Sequence, residues 1–221
     1  MSILPNHKWR IPLVLILLCL LPIAASAFRV IWMATISPDA AISPSDARFL
    51  AFPVPILLHV ILASLFLILG AFQMPAALRQ KFRNWHRRSG RVAVVAGLTF
   101  ALSGIWMVLT YAPHEFQNNS IDAGRIVFGF AIAVFLILGI QKARSRNFKS
   151  HRAWMIRAYA LSASSGAQSL LIAGALAFTG AFDPTLADAM MWVGWIVSIL
   201  FGEWIIMRPN AQKSVRNIQD A

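Results

Sequence analysis

Positive charge is not spread evenly along this chain. Six long apolar stretches are separated by gaps that alternate, one basic and the next neutral or acidic, and this alternation limits the fold more than any other feature. The stretches run roughly over residues 11–34, 52–73, 92–112, 124–141, 154–181 and 189–207. Each is near the ~20 residues that an α-helix needs to cross a ~30 Å hydrocarbon core. Lipid offers no partner to an unpaired backbone amide or carbonyl, so helices are the economical way across. With 58% apolar residues and a mean hydropathy of +0.66, the chain is too apolar for an ordinary soluble domain of its length. The expected fold is all-α: a single six-helix transmembrane bundle over 11–207, with an amino end over 1–10 and a tail over 208–221.

The charges then orient the helices. The second gap holds Arg79, Lys81, Arg83, Arg87, Arg88 and Arg91, and the fourth holds Lys142, Arg144, Arg146, Lys149 and Arg152. Lys8 and Arg10 precede the first stretch; Arg208, Lys213 and Arg216 follow the last. The first gap balances Arg29 and Arg48 against Asp39 and Asp46. The third and fifth are net negative through Glu115, Asp122, Asp183 and Asp188, with Arg125 the one cation among them. Lys and Arg are retained on the cytoplasmic side, so both termini are expected in the cytoplasm, as in a multi-pass protein of the bacterial inner membrane.

The net charge of +12 is therefore topogenic. Its basic residues flank helix ends and form no folded reading head, which argues against nucleic acid as a partner. The expected partners are the bilayer and anionic headgroups on its cytoplasmic face, at about 1 kcal/mol per basic residue near the surface.

The single cysteine, Cys19, lies in the first stretch and can form neither an intramolecular disulfide nor a thiolate metal site. His7–Arg10, the apolar run after it and Ala25-Ser26-Ala27 also read as a secretory signal with a cleavage site. Hydrophobicity continues through Val30–Ala34, which favours a retained helix. No linker is long enough to separate two domains, and the longest gap, Thr35–Ala51, carries the turn signals Ser37-Pro38-Asp39 and Ser43-Pro44-Ser45-Asp46. Ala93, Gly97 and Ala101 recur every four residues, the spacing that lets helices approach closely in lipid. Ser165, Gln168 and Ser169 either pack in the same way or line a polar cavity.

Ionisable residues inside membrane helices are functional candidates because each is costly unless paired. His59, about two turns into the second helix, can ligate haem iron, relay a proton or bond to a neighbouring hydroxyl such as Thr99 or Ser103. No other stretch holds a histidine for a bis-histidine haem; His114, after the third helix, is nearest in depth, and Met107 offers a thioether. Arg157 and Glu203 lie at similar depth near the inner ends of the fifth and sixth helices, as a salt bridge or a proton-coupling carboxylate would require. His86 and His151 stand at the inner rim among Arg87, Arg88, Arg91 and Arg152, a set suited to a lipid headgroup, a haem propionate or a phosphorylated solute. Trp85, Trp154, Trp192 and Trp204, near helix ends, read as interfacial anchors.

These residues together carry a resemblance. They are Leu58-His59, Trp85-His86-Arg87-Arg88-Ser89-Gly90-Arg91, the run His151–Leu161, and Trp192-Val193-Gly194-Trp195 followed by Ser198 and Glu203. Over about 52–207 the chain resembles the bacterial predicted membrane proteins grouped as domain of unknown function 2306. The resemblance implies an arginine near Gln168 and an asparagine near Ser198, where this chain departs. It implies no activity. The His-Arg-x-x-Gly-Arg edge also resembles the b-type haem domains of ferric reductases, but the third helix has Thr99 and Phe100 where such domains carry a histidine.

Three activities fit this reading, in descending order. The first is an accessory or lipid-interacting membrane protein with no reaction of its own. The second is b-type haem or quinone-linked electron transfer using His59, with His86 or His151 at the inner face. The third is a small proton-coupled transporter using Glu203.

Overall fold

The structure is a computed structural model that describes residues 7–37, 39–111 and 118–208. The eight helices among the described residues are α1 (His7–Thr35), α2 (Pro44–Ala51), α3 (Val54–Gln73), α4 (Ala76–Lys81), α5 (Arg83–Thr110), α6 (Asn119–Arg144), α7 (Phe148–Thr179) and α8 (Pro184–Met207). All but α2 and α4 are long and apolar enough to cross a membrane. The helices are longer than the apolar stretches at the basic end. α5 starts at Arg83 rather than near residue 92, and α7 at Phe148 rather than near 154. Basic residues expected in connecting loops are thus helical, on first turns that project beyond the apolar segment. The gap after the first stretch also differs from expectation, since Pro44–Ala51 is a helix capped by Ser43, whose side chain accepts from the Asp46 amide.

Packing neighbours define a closed ring in the order α1, α3, α5, α6, α7 and back to α1, with α3 also touching α7 across it. α8 lies outside the ring against α7 and reaches α6. The centre is filled by Phe66 and Leu67 of α3, Phe100 of α5, Leu136 of α6 and Tyr159 of α7, each no more than 7% exposed. Tyr159 joins three helices: its hydroxyl donates to the Leu67 carbonyl at 3.0 Å and lies 3.8 Å from the Cys19 sulfur of α1. The expected small-residue stripe does pack closely. Ala93, Gly97 and Ala101 are buried, and a Cβ at Gly97 would fall 2.7 Å from Leu136 and 2.9 Å from Phe66. α1 is docked by the same device, because a Cβ on Gly166 of α7 would collide with the Leu18 backbone carbonyl.

The chain breaks between α2 and α3 at Phe52, whose φ of −140° and ψ of 79° reflect the steric demand of the following Pro53. The hydroxyl of Tyr111 fills the gap in the ladder, donating to the Phe52 carbonyl at 2.9 Å and accepting from the Ile56 amide at 3.2 Å. Those two groups are four residues apart, so the phenol replaces the helical hydrogen bond that the break removes.

Beside this break, Arg29 bonds Asp46 at 2.6 Å and lies over Trp32 and Phe49. The hydrogen bond from Arg29 holds the Asp46 carboxyl below the usual carboxylate range. The pair is present while Asp46 is ionised, at and above the ordinary aspartate value of about 3.9, and is lost as pH falls through the lower folded value. Because both side chains are partly exposed, the contribution is at most about 1 kcal/mol. Asp46→Asn is therefore expected to lower the melting temperature in detergent at neutral pH, and the difference from wild type to vanish at a pH well below the ordinary aspartate range. A difference that persisted at that pH would show that Asp46 acts through something other than its charge.

Candidate functional site

At the basic end, basic side chains from three helices come within electrostatic reach of one another. Pro75 opens the short helix α4, which carries Arg79 back toward the bundle. Arg79 is within electrostatic reach of both His86 on α5 and Arg152 on α7, and His86 is likewise within reach of His151. His151 is held in place, since its Nδ1 lies 2.8 Å from the Gly139 carbonyl of α6; a carbonyl only accepts, so Nδ1 is the donor. The first turns of α5 are tied to the end of α3 through Gln73, whose amide donates to the Ser89 hydroxyl at 2.8 Å. Arg87, Arg88 and Arg91 are exposed on the same turns.

What distinguishes this end is the lack of counter-charge. Among the described residues, Asp39, Asp46, Asp122, Asp183 and Asp188 all belong to the opposite end, and Glu203 is the only carboxylate in the basic half. Glu203 is already engaged. Arg157 donates to it from Nε at 2.5 Å and from Nη2 at 2.9 Å, a two-pronged pair, with the guanidinium 4.8 Å from the Trp154 ring. The expected salt bridge between the fifth and sixth membrane helices is therefore formed.

His59 is placed differently from expectation. Its Nδ1 lies 2.9 Å from the Phe100 carbonyl of α5, which also accepts from Ser103, so the histidine bonds to backbone rather than to the Thr99 or Ser103 hydroxyl. Gly104 makes this approach fit, since a Cβ there would be 3.0 Å from the imidazole Cε1. His59 is far from His86 and His151, which lie at the other end of the bundle, so the three histidines do not form one site. His114 falls outside the described residues. Among those described, no group of three His, Cys, Asp or Glu side chains is arranged to hold a metal ion.

The serine-rich face of α7 is packed rather than open. Ser165 and Ser169 donate to carbonyls of their own helix, and Gln168 donates to the Met191 carbonyl of α8 at 2.9 Å. Gln168 thus stands at an interhelical bond where the resemblance implies arginine, and Ser198 is buried. Two features of the structure are not legible in the sequence. One is Arg79, which is indistinguishable there from any other loop cation. The other is the junction of α6 and α8, where Phe128 packs on Trp195 at 4.7 Å and Trp192 donates to Ser120 at 3.2 Å.

Comparison with known proteins adds a family. No curated protein and no solved structure matches the chain. A family model described as predicted membrane protein (DUF2306) matches residues 56–206, from the second membrane helix almost to the end of α8. The chain belongs to that family of predicted membrane proteins of unknown function.

Proposed function

We propose that this protein is an accessory component of the bacterial cytoplasmic membrane, oriented with its basic end in the cytoplasm, that binds the phosphate of an anionic lipid at Arg79, His86 and Arg152. The observation that carries the reading is the mutual electrostatic reach of these side chains and His151, from three helices, where no described carboxylate is free to balance them. Like charges held together repel, and a bound anion relieves that repulsion. Arginine forks and imidazole N–H groups suit phosphate oxygens, and the cluster lies at helix ends, where headgroups sit. The Lys and Arg distribution between the two ends supports the orientation.

Native mass spectrometry of the protein equilibrated with mixed phosphatidylglycerol and phosphatidylcholine tests this. Phosphatidylglycerol is expected to be retained preferentially, and Arg79→Ala and Arg152→Ala each to weaken that preference about fivefold, the equivalent of about 1 kcal/mol per cation. Millimolar inorganic phosphate is expected not to displace the lipid. No preference in wild type, or one indifferent to both substitutions, would overturn the reading.

A further inference from the structure

α6 and α8 straddle α7, and they are joined at the end away from the basic cluster. There a Cβ at Gly124 would fall 2.8 Å from the Trp195 ring, and Asn118 donates to Asp188 at 2.6 Å. Toward the basic end, a half-open groove of about 220 Å³ runs between the two helices over α7. Phe128 and Phe135 of α6, Trp154 of α7 and Ile199 of α8 line it, together with the Arg157–Glu203 pair. Val127, which lines the groove on α6, is 61% exposed on the membrane-spanning part of that helix, so the groove opens toward hydrocarbon rather than toward water.

We propose that this groove binds the head of a neutral, lipid-soluble carbonyl compound of the quinone class, with Arg157 donating to a carbonyl oxygen. Charge narrows the ligand first. The pair sums to zero, so an anion there meets the Glu203 carboxylate and a cation meets the guanidinium, each in surroundings of low dielectric. Hydrogen bonding narrows it further. A guanidinium has five N–H donors, and Glu203 takes one from Nε and one from Nη2. Nη1 makes no hydrogen bond among the described residues, and Arg157 faces the groove. A donor facing hydrocarbon without an acceptor is costly, and a carbonyl oxygen supplies what is missing. Shape favours a flat head over an acyl chain, because three of the walls are aromatic rings, which stack on planar groups. The cavity suits a single ring, with an apolar tail leaving through the open side into the bilayer.

This site is independent of the anion cluster. His151 bonds the Gly139 carbonyl of α6 and Arg152 is within electrostatic reach of Arg79, whereas Arg157 bonds Glu203 of α8.

The test is binding of decylubiquinone to the full-length protein in detergent, followed by native mass spectrometry. One molecule per chain is expected, with saturation. Ala131→Phe, which fills the groove, is expected to weaken binding by about tenfold or more, and dioleoylglycerol at equal concentration not to compete. Val127→Phe changes an exposed lining residue and is expected to weaken binding also, so the test stands even where Ala131→Phe does not fold. Non-saturating uptake, unchanged binding in a folded groove variant, or displacement by dioleoylglycerol would each overturn the proposal, the last by making the groove a site for acyl lipid.

Discussion

Glu203→Ala is expected to destabilise the protein by about 2–3 kcal/mol, although the side chain it removes lies near one end of the bundle. Arg157 and Glu203 are 28% and 34% exposed as side chains, figures that would mark a weak surface pair in a soluble protein. Here that surface faces lipid, so removing the carboxylate leaves a guanidinium without its counter-charge in a medium that solvates it poorly. Its contact with Trp154 and its reach toward the basic end relieve part of this, which keeps the effect near the lower end of values for intramembrane charges. The double substitution Arg157→Leu/Glu203→Leu is expected to recover most of the loss, because two apolar groups need no partner. Unfolding by SDS titration, read by circular dichroism, measures all three proteins. A single variant as stable as wild type would mean that water reaches the pair; a double variant worse than either single would mean that the pair contributes net stability.

Gly70→Ala is the second large effect, at about 2–3 kcal/mol of destabilisation from one methyl group. A Cβ at Gly70 would fall 2.5 Å from two ring carbons of Tyr159, too close for any real contact. The ring cannot yield easily: it is 3% exposed, packed against Phe66, and fixed at its hydroxyl by the Leu67 carbonyl. Relief would require α3 and α7 to separate, which loosens the contact that α1 makes through Cys19. Gly174→Ala is the matched control on α7. Nothing lies within 4 Å of a Cβ there, so the same methyl is expected to be neutral or to stabilise by about 0.5 kcal/mol through reduced freedom of the unfolded chain. Thermal unfolding of the two variants in one detergent distinguishes them; equal effects would show that the α3–α7 approach is looser than the glycine implies.

The sites were unevenly legible. The Arg157–Glu203 pair could be read because depth along a helix follows from residue count, and two opposite charges at equal depth in lipid have few alternatives. The partner of His59 could not, because its acceptor is the backbone carbonyl of Phe100, a group every residue carries. The serines of α7 left packing and a cavity both open, and packing holds: hydroxyls in a membrane helix satisfy themselves on carbonyls of the preceding turn, so polarity there does not imply open space.

The sequence by itself determined the class of fold. Hydrophobic length, the need to satisfy every backbone group in lipid, and the alternation of charge are all properties of local segments, and they fixed six membrane helices without reference to one another. Only the tertiary structure decided which helices are neighbours. That choice closed α1 onto α7, brought Arg79 within electrostatic reach of His86 and Arg152, and left α6 and α8 apart along the groove. The physical reason is that lipid is as apolar as the helix faces it surrounds, so hydrophobicity does not select partners. Selection falls to close contacts such as Gly70 on Tyr159 and Gly97 on Leu136, which depend on shapes facing each other across helices far apart in the chain.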